Sequence, residues 1–88
     1  MYEIQPYTFR QAKELGVYVR PSRRANYKID VFNKDGDYLF SGGSMGYSDY
    51  PTYLKEKGKE YADERRRLYH IRHKNESARG KTIGILLW

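Results

Sequence analysis

The stretch ERRRLYHIRH, residues 64–73, concentrates charged and titratable side chains around a short apolar seam. Its basic or titratable members after Glu64 are Arg65, Arg66, Arg67, His70, Arg72 and His73. Arginine binds phosphates and carboxylates, whereas histidine transfers protons and coordinates metals. Three interpretations follow for this stretch: an anion-binding surface, a metal or catalytic site, or the solvated face of a helix.

A metal or catalytic site has little support in the sequence. His70 and His73 can share one helical face, but structural zinc normally takes four protein ligands, and the chain has no cysteine and no third histidine. Serines and acids are present, yet no nucleophile-elbow motif places them in a catalytic context. The sequence therefore predicts no metal, no cofactor and no enzymatic activity.

Positive charge is concentrated in the second half of the chain. The 88 residues carry a net charge of +6, and the 65–81 segment holds seven basic residues against one acid, Glu76. Such a segment attracts phosphates, acidic protein surfaces or anionic lipids. The chain also lacks a run of 18 apolar residues and a signal-peptide pattern, so we expect no membrane partner.

The first third of the chain predicts a short helix followed by an extended segment. Thr8 can act as N-cap for FRQAKEL, and Gly16 can end the helix in the left-handed conformation. The VYV that follows runs into Pro21, which disfavours helix at Arg20.

A β-hairpin is predicted at about 26–41. The runs NYKIDVF and DYLFS flank NKDG, and Asp-Gly between two alternating β-prone runs is a strong hairpin signal. We expect Tyr27, Ile29 and Val31 on one face, with Tyr38 and Phe40 opposite them. The glycine-rich SGGSMG lacks the spacing of a phosphate-binding loop and is interpreted as a mobile connector.

The second half predicts helices. Asp49 is a candidate N-cap just before Pro51, Gly58 separates the first turns, and a long helix extends over about 52–74. The apolar KTIGILLW should pack against the body, as a short helix.

These elements predict one small basic α+β domain over residues 1–88. A small antiparallel sheet, the hairpin joined by VYV, would be covered by the long helix, with a short N-terminal helix and a packed C-terminal segment. Because so small a sheet leaves edges to cover, a homodimer is also considered.

DNA bound through its phosphates, independently of sequence, is the first functional hypothesis. The candidate phosphate ligands are Arg20, Arg23, Arg24, Arg65, Arg66, Arg67, Arg72 and Arg79. The alternative is a protein-interaction module that contacts an acidic viral or host protein through Tyr47, Tyr50, Tyr53 and the arginines. Two plainer readings stay open: Asp63 and Glu64 could neutralise Arg66 and Arg67, and the three tyrosines could be packing residues.

Several stretches resemble a known family. GYSDYPTYLKEKGKEYADERRRLYHIRHK, followed by ILLW and preceded by LGVYVRPS and YKIDVF, is similar to small uncharacterised proteins of large nucleocytoplasmic double-stranded DNA viruses, including marseillevirus-like ones. The resemblance covers roughly residues 11–88, with ESARGKTIG as a departing spacer. It implies a viral setting, the virion or a viral factory in the host cytoplasm, or the nucleus, and it supplies no catalytic residues.

Overall fold

The structure, a computed structural model, describes residues 2–88. Its elements in chain order are α1 (Pro6–Leu15), β1 (Tyr18–Pro21), β2 (Tyr27–Phe32), β3 (Tyr38–Ser44), α2 (Tyr50–Lys57), α3 (Lys59–Arg72) and α4 (Ala78–Leu87). The predicted α+β class is confirmed. Within the described residues, every helix is too short or too polar to cross a bilayer.

The sheet has three antiparallel strands in the order β1-β2-β3, as the hairpin and VYV predicted. Asn33 fixes the hairpin turn, because its side-chain oxygen accepts the backbone N–H groups of Asp35 and Asp37. Gly36 takes the positive φ of 88° that this turn requires.

β3 extends further than expected, through Ser44, so the first four of the six residues of the predicted connector are strand. Gly42 lies opposite Ile29, and any side chain at Gly42 would collide with Ile83 of α4. Gly43 has a φ of 79°, and a side chain there would collide with Leu87. The glycines therefore let α4 lie directly on the backbone of β3.

A β-bulge changes which residues of the hairpin face the core. The register shifts between Val31, which pairs with Phe40, and Phe32, which pairs with Tyr38. Ile29 and Val31 are fully buried and Phe40 packs against the core, as expected. Tyr38 is instead 48% exposed, because the extra residue breaks the alternation of the strand.

The helical layer over the sheet is built mainly from α4 and α1. Leu86 and Leu87 join Ile29 and Val31 in the core, so the C-terminal segment is packed and helical as predicted. The 52–74 region is divided at Gly58, as predicted, into α2 and α3, but the predicted position of this long helix across the sheet is wrong. These two helices pack chiefly on each other.

The predicted N-cap of α1 is wrong. The helix begins at Pro6, which needs no hydrogen-bond acceptor at this position, and Gln5 is the N-cap. Thr8 is fully buried inside the helix, and its hydroxyl donates a 2.8 Å hydrogen bond to the Leu86 backbone oxygen. The predicted end at Gly16 is confirmed, with a φ of 73°.

Substitutions at two neighbouring residues of α4 test which face of this helix packs in the core. Leu86→Ala should lower the free energy of unfolding by about 2–5 kcal/mol, through lost burial and a cavity. Ile85→Ala, at a residue that is 42% exposed, should cost less than about 1 kcal/mol. Urea unfolding followed by circular dichroism measures both, and equal losses would contradict this packing.

Candidate functional site

A cleft of about 520 Å³ opens between α3, α4, the end of β3 and the segment that follows β3. We call it the aromatic cleft, because Tyr53, Tyr69 and Trp88 line it. Its charged or titratable lining residues, besides tyrosine, are Lys28, Arg65, Arg72, His73 and Glu76.

Stacked rings form one wall of the aromatic cleft. Tyr69 and His73 are one helical turn apart on α3 and stack with centroids 4.1 Å apart. Tyr69 also stacks on Trp88 at 4.5 Å, with an angle of 7° between the planes, and Tyr53 packs tilted against Trp88. The wall is therefore a preformed aromatic surface held by α2, α3 and α4.

His73 is engaged by its neighbours in this wall, because its Nδ1 also pairs with Glu76. In residues 2–88, no three side chains of the histidine, aspartate or glutamate type converge as metal ligands would.

Arg65 provides the least satisfied polar group of the aromatic cleft. Its guanidinium lies 5.5 Å from the centroid of the Tyr53 ring, a cation–π geometry. Its Nε is buried and has no hydrogen-bond acceptor among the described residues. Arg65 lines the cleft and forms no ion pair within residues 2–88, so its guanidinium group can bind an anionic acceptor that enters the cleft.

Lys28, by contrast, is already neutralised. Its Nζ lies 2.9 Å from Asp49 Oδ2, and both side chains are almost fully buried. Asp49 also accepts the Tyr2 hydroxyl at 2.6 Å and the Thr52 backbone N–H at 3.0 Å, which confirms the predicted N-cap of α2. Burial first, and the Asp49 carboxylate second, raise the pKa of Tyr2 well above its ordinary value. Tyr2 therefore stays a hydrogen-bond donor over the whole physiological range.

Two of the predicted phosphate ligands are committed to contacts within the protein. Arg66 donates from Nε to the Trp88 backbone oxygen at 2.7 Å and from Nη2 to Tyr7, and its guanidinium lies 3.7 Å above the Tyr50 ring. Arg67 forms a two-point ion pair with Glu64 on the exposed face of α3. Arg66 is therefore a packing residue in this structure, and Arg67 has the ion pair that the plainer reading anticipated; phosphate binding by either arginine stays a prediction.

Asp63 does not neutralise Arg66 or Arg67 through a direct ion pair. Its carboxylate binds Lys59 at 2.6 Å and accepts the Tyr50 hydroxyl at 2.9 Å. The hydrogen bond from Lys59, then that from Tyr50, lower the pKa of Asp63.

Arg20 and Arg24 lie away from the aromatic cleft, on the sheet face where Tyr38 is exposed. Arg20 stacks over Phe32 at 4.5 Å, and Arg24 lies over Tyr27 at 5.1 Å and near the Tyr38 hydroxyl.

Asp30 organises the loop that carries Arg23. Its carboxylate accepts hydrogen bonds from Ser22 and Ser41, and more weakly from the Arg23 backbone N–H. Desolvation disfavours the charge of Asp30, but these hydrogen bonds outweigh it and lower the pKa. Arg23 and Arg24 thus sit on a fixed loop, in a basic group separate from the cleft-lining arginines.

Arg72 and Arg79 lie beside the aromatic cleft, at the turn that joins α3 to α4. Arg72 lines the cleft, and Arg79 is exposed with its guanidinium 5.7 Å from the Phe40 ring. The structure therefore brings Arg65 and Arg72 together in one cleft, with Arg79 close to its edge.

The three predicted interaction tyrosines divide by burial. Tyr47 is 76% exposed and lines the aromatic cleft. Tyr53 is half-buried in the cleft wall, and Tyr50 is 6% exposed beneath Arg66. Burial, followed by the hydrogen bond to Asp63, raises the pKa of Tyr50. The ring of Tyr50 is part of the packing and leaves little surface for a partner, and its role as an interaction residue stays a prediction.

Sequence reasoning missed Lys28, Tyr69 and Trp88 as site residues. The four-residue spacing of Tyr69 and His73 could have indicated the stack on one helical face. No sequence pattern near Trp88 or Lys28 indicates that they lie beside this stack, because tertiary packing between distant segments places them there.

Comparisons with protein-family models, curated proteins and solved structures found nothing that matches this chain. The resemblance to proteins of large DNA viruses stays a prediction.

The buried Lys28–Asp49 pair can be tested by removing one charge. Asp49→Asn keeps the size and N-cap character of the residue but leaves Lys28 buried without its counter-ion. We expect a loss of about 3–5 kcal/mol in the free energy of unfolding.

The double variant Lys28→Met/Asp49→Asn should recover part of this loss, because the unpaired buried charge is gone. Urea unfolding of the wild type, the two single variants Asp49→Asn and Lys28→Met, and the double variant completes this double-mutant cycle. A loss below about 1 kcal/mol for Asp49→Asn alone would show that the pair does not stabilise the fold.

Proposed function

We propose that the protein is a non-catalytic DNA-binding protein that contacts phosphates and reads no sequence. The observation that carries this proposal is the charge of the α3–α4 turn, which we call the basic turn and define as residues 72–81. Its exposed cations are Arg72, Lys74, Arg79 and Lys81. Among the described residues none of these four forms an ion pair, and the one acid of the turn, Glu76, is engaged with His73.

Uncompensated cations on one short turn produce a local positive field that attracts a polyanion. Contacts to phosphates fix the position of a protein on DNA but carry no sequence information. No helix of the basic turn projects a row of side chains suited to base edges, since the cations extend from two helix ends and the turn between them. This arrangement therefore favours binding to the sugar-phosphate backbone of DNA.

The setting we propose follows from the resemblance. A protein of a large DNA virus that binds DNA irrespective of sequence would act in the virion or in the viral factory, where viral DNA is concentrated.

A protein-interaction role is the second candidate, favoured by the exposure of Tyr47 beside Arg72 on the cleft rim. Tyrosine and arginine are enriched at interface hot spots, and an acidic viral or host protein, or a second copy of the chain, would be the partner. Tyr47→Ala should weaken such a complex and leave duplex binding unchanged.

The salt dependence of binding tests the DNA proposal. With four phosphates neutralised by the basic turn, the logarithm of affinity should fall with the logarithm of salt concentration at a slope of about −3 to −4. Unrelated duplexes of equal length should give the same slope. Mobility shifts at several salt concentrations measure it, and absence of binding at low salt would refute the proposal.

Charge reversal locates the binding surface. Arg72→Glu/Arg79→Glu should reduce duplex affinity by roughly tenfold to a hundredfold at low salt, since two contacts become repulsive. The matched control Arg10→Glu/Lys34→Glu makes the same change in net charge at two exposed residues that do not line the cleft. Similar losses in both variants would mean that total charge, not the basic turn, governs binding.

A further inference from the structure

The aromatic cleft combines three properties of a ligand-binding pocket. It is concave, with a volume of about 520 Å³, which lies within the range of small-molecule pockets, about 300–1,000 Å³. One wall is a stack of aromatic rings. Two arginines that form no ion pair with a carboxylate of residues 2–88 line it, and one of them, Arg72, also belongs to the basic turn.

The charge of the aromatic cleft selects an anion. Lys28 is neutralised by Asp49, and Glu76 is the one carboxylate in the lining, so Arg65 and Arg72 leave the cleft with net positive charge. An acceptor that carries negative charge would form charge-assisted hydrogen bonds with the guanidinium group of Arg65.

The aromatic rings of the cleft favour a ligand in which a flat ring system is attached to the anionic group. Tyr53 and Trp88 present aromatic surface in the same cleft, next to Tyr69, which is itself stacked on His73 and Trp88. Nucleobases stack on such rings whatever their identity, because every base has a π-face. A phosphate joined through a sugar to a base has both features.

The aromatic cleft also adjoins the basic turn, because Arg72, Glu76 and Gly80 belong to the turn and line the cleft. A strand whose end enters the cleft would continue past the cations of the turn. We infer that the aromatic cleft binds a nucleoside monophosphate, either free or as the 5′-phosphorylated terminal nucleotide of a DNA strand. The strand-end form rests on the DNA binding proposed above.

Within this arrangement each residue has a defined role. Arg65 donates from its guanidinium group to the phosphate, and Tyr53 holds this group in place by cation–π contact. Arg72 provides the second positive charge at the rim.

The chain offers a built-in probe for this binding. Trp88 is the one tryptophan of the sequence and lines the aromatic cleft, so its fluorescence reports on occupancy. The ligands to compare are dAMP, deoxyadenosine, and one single-stranded oligonucleotide with either a 5′-phosphate or a 5′-hydroxyl. A covalently closed circular duplex, which has no ends, measures the phosphate contacts of the basic turn alone.

We expect the 5′-phosphorylated oligonucleotide to bind about tenfold or more tightly than its 5′-hydroxyl form, and dAMP to exceed deoxyadenosine by a similar factor. Both phosphorylated ligands should change the Trp88 emission. If dAMP binds as tightly as the oligonucleotide, the free nucleotide is the ligand, and the inference holds in that form. The closed circle should bind without this emission change.

Equal affinities with and without the phosphate would overturn the inference, even if the closed circle still binds. Loss of closed-circle binding with dAMP binding retained would instead refute the DNA proposal alone. The two proposals therefore fail separately.

Two substitutions on α3 assign the effect to Arg65. Arg65→Lys keeps the charge but replaces the planar guanidinium, whose paired donors fit a phosphate, with a single ammonium group, and it should lower the preference for the phosphorylated ligands severalfold. Arg67→Lys, at an exposed residue that does not line the cleft, makes the same change, is the matched control and should leave the preference intact. Retention of the full preference in a folded Arg65→Lys protein would overturn the role of Arg65, and the wild-type ligand comparison decides the inference if that variant does not fold.

Discussion

The carboxylate of Asp49 joins three parts of the chain through buried hydrogen bonds. It accepts from Lys28 on β2, from Tyr2 in the N-terminal segment and from the first turn of α2. A buried carboxylate with three donors tolerates little displacement, because each donor would lose its partner in a medium of low polarity. The entry of α2 is thereby fixed against the sheet, and with it Tyr53 and one side of the aromatic cleft.

Arg66 has a comparable role among the helices. Its guanidinium contacts Tyr7 of α1, Tyr50 of α2 and the backbone oxygen of Trp88 just beyond α4. The three adjacent arginines of α3 thus have three different environments. Arg65 faces the cleft, Arg66 the helix junction and Arg67 the solvent with Glu64. Successive residues on a helix point about 100° apart, so a run of like charges cannot act as one surface.

The elements that local chemistry determines could be predicted from the sequence. The Asp-Gly turn, the Asp49 cap before Pro51 and the helix end at Gly16 each depend on residues a few positions apart. The errors occur where a distant group outweighs a local preference. Thr8 is a good N-cap residue by type, yet its hydroxyl binds Leu86, and the glycines of β3 accommodate α4 instead of forming a loose connector. The cleft was not predictable for the same reason, since Trp88 and Lys28 reach it only through tertiary packing.

The hydrogen bond from Thr8 to Leu86 spans 78 residues of the chain. During synthesis on the ribosome, α1 and the three strands emerge well before α4, and the hairpin can form from local contacts alone. The inner face of the sheet then stays only partly covered, by α1, until α4 is made, so the core closes late and through non-local contacts, which are slow to form. In that interval the apolar face and the strand edges are open to other chains, and a nascent chain of this kind benefits from chaperones or from rapid completion of its last helix.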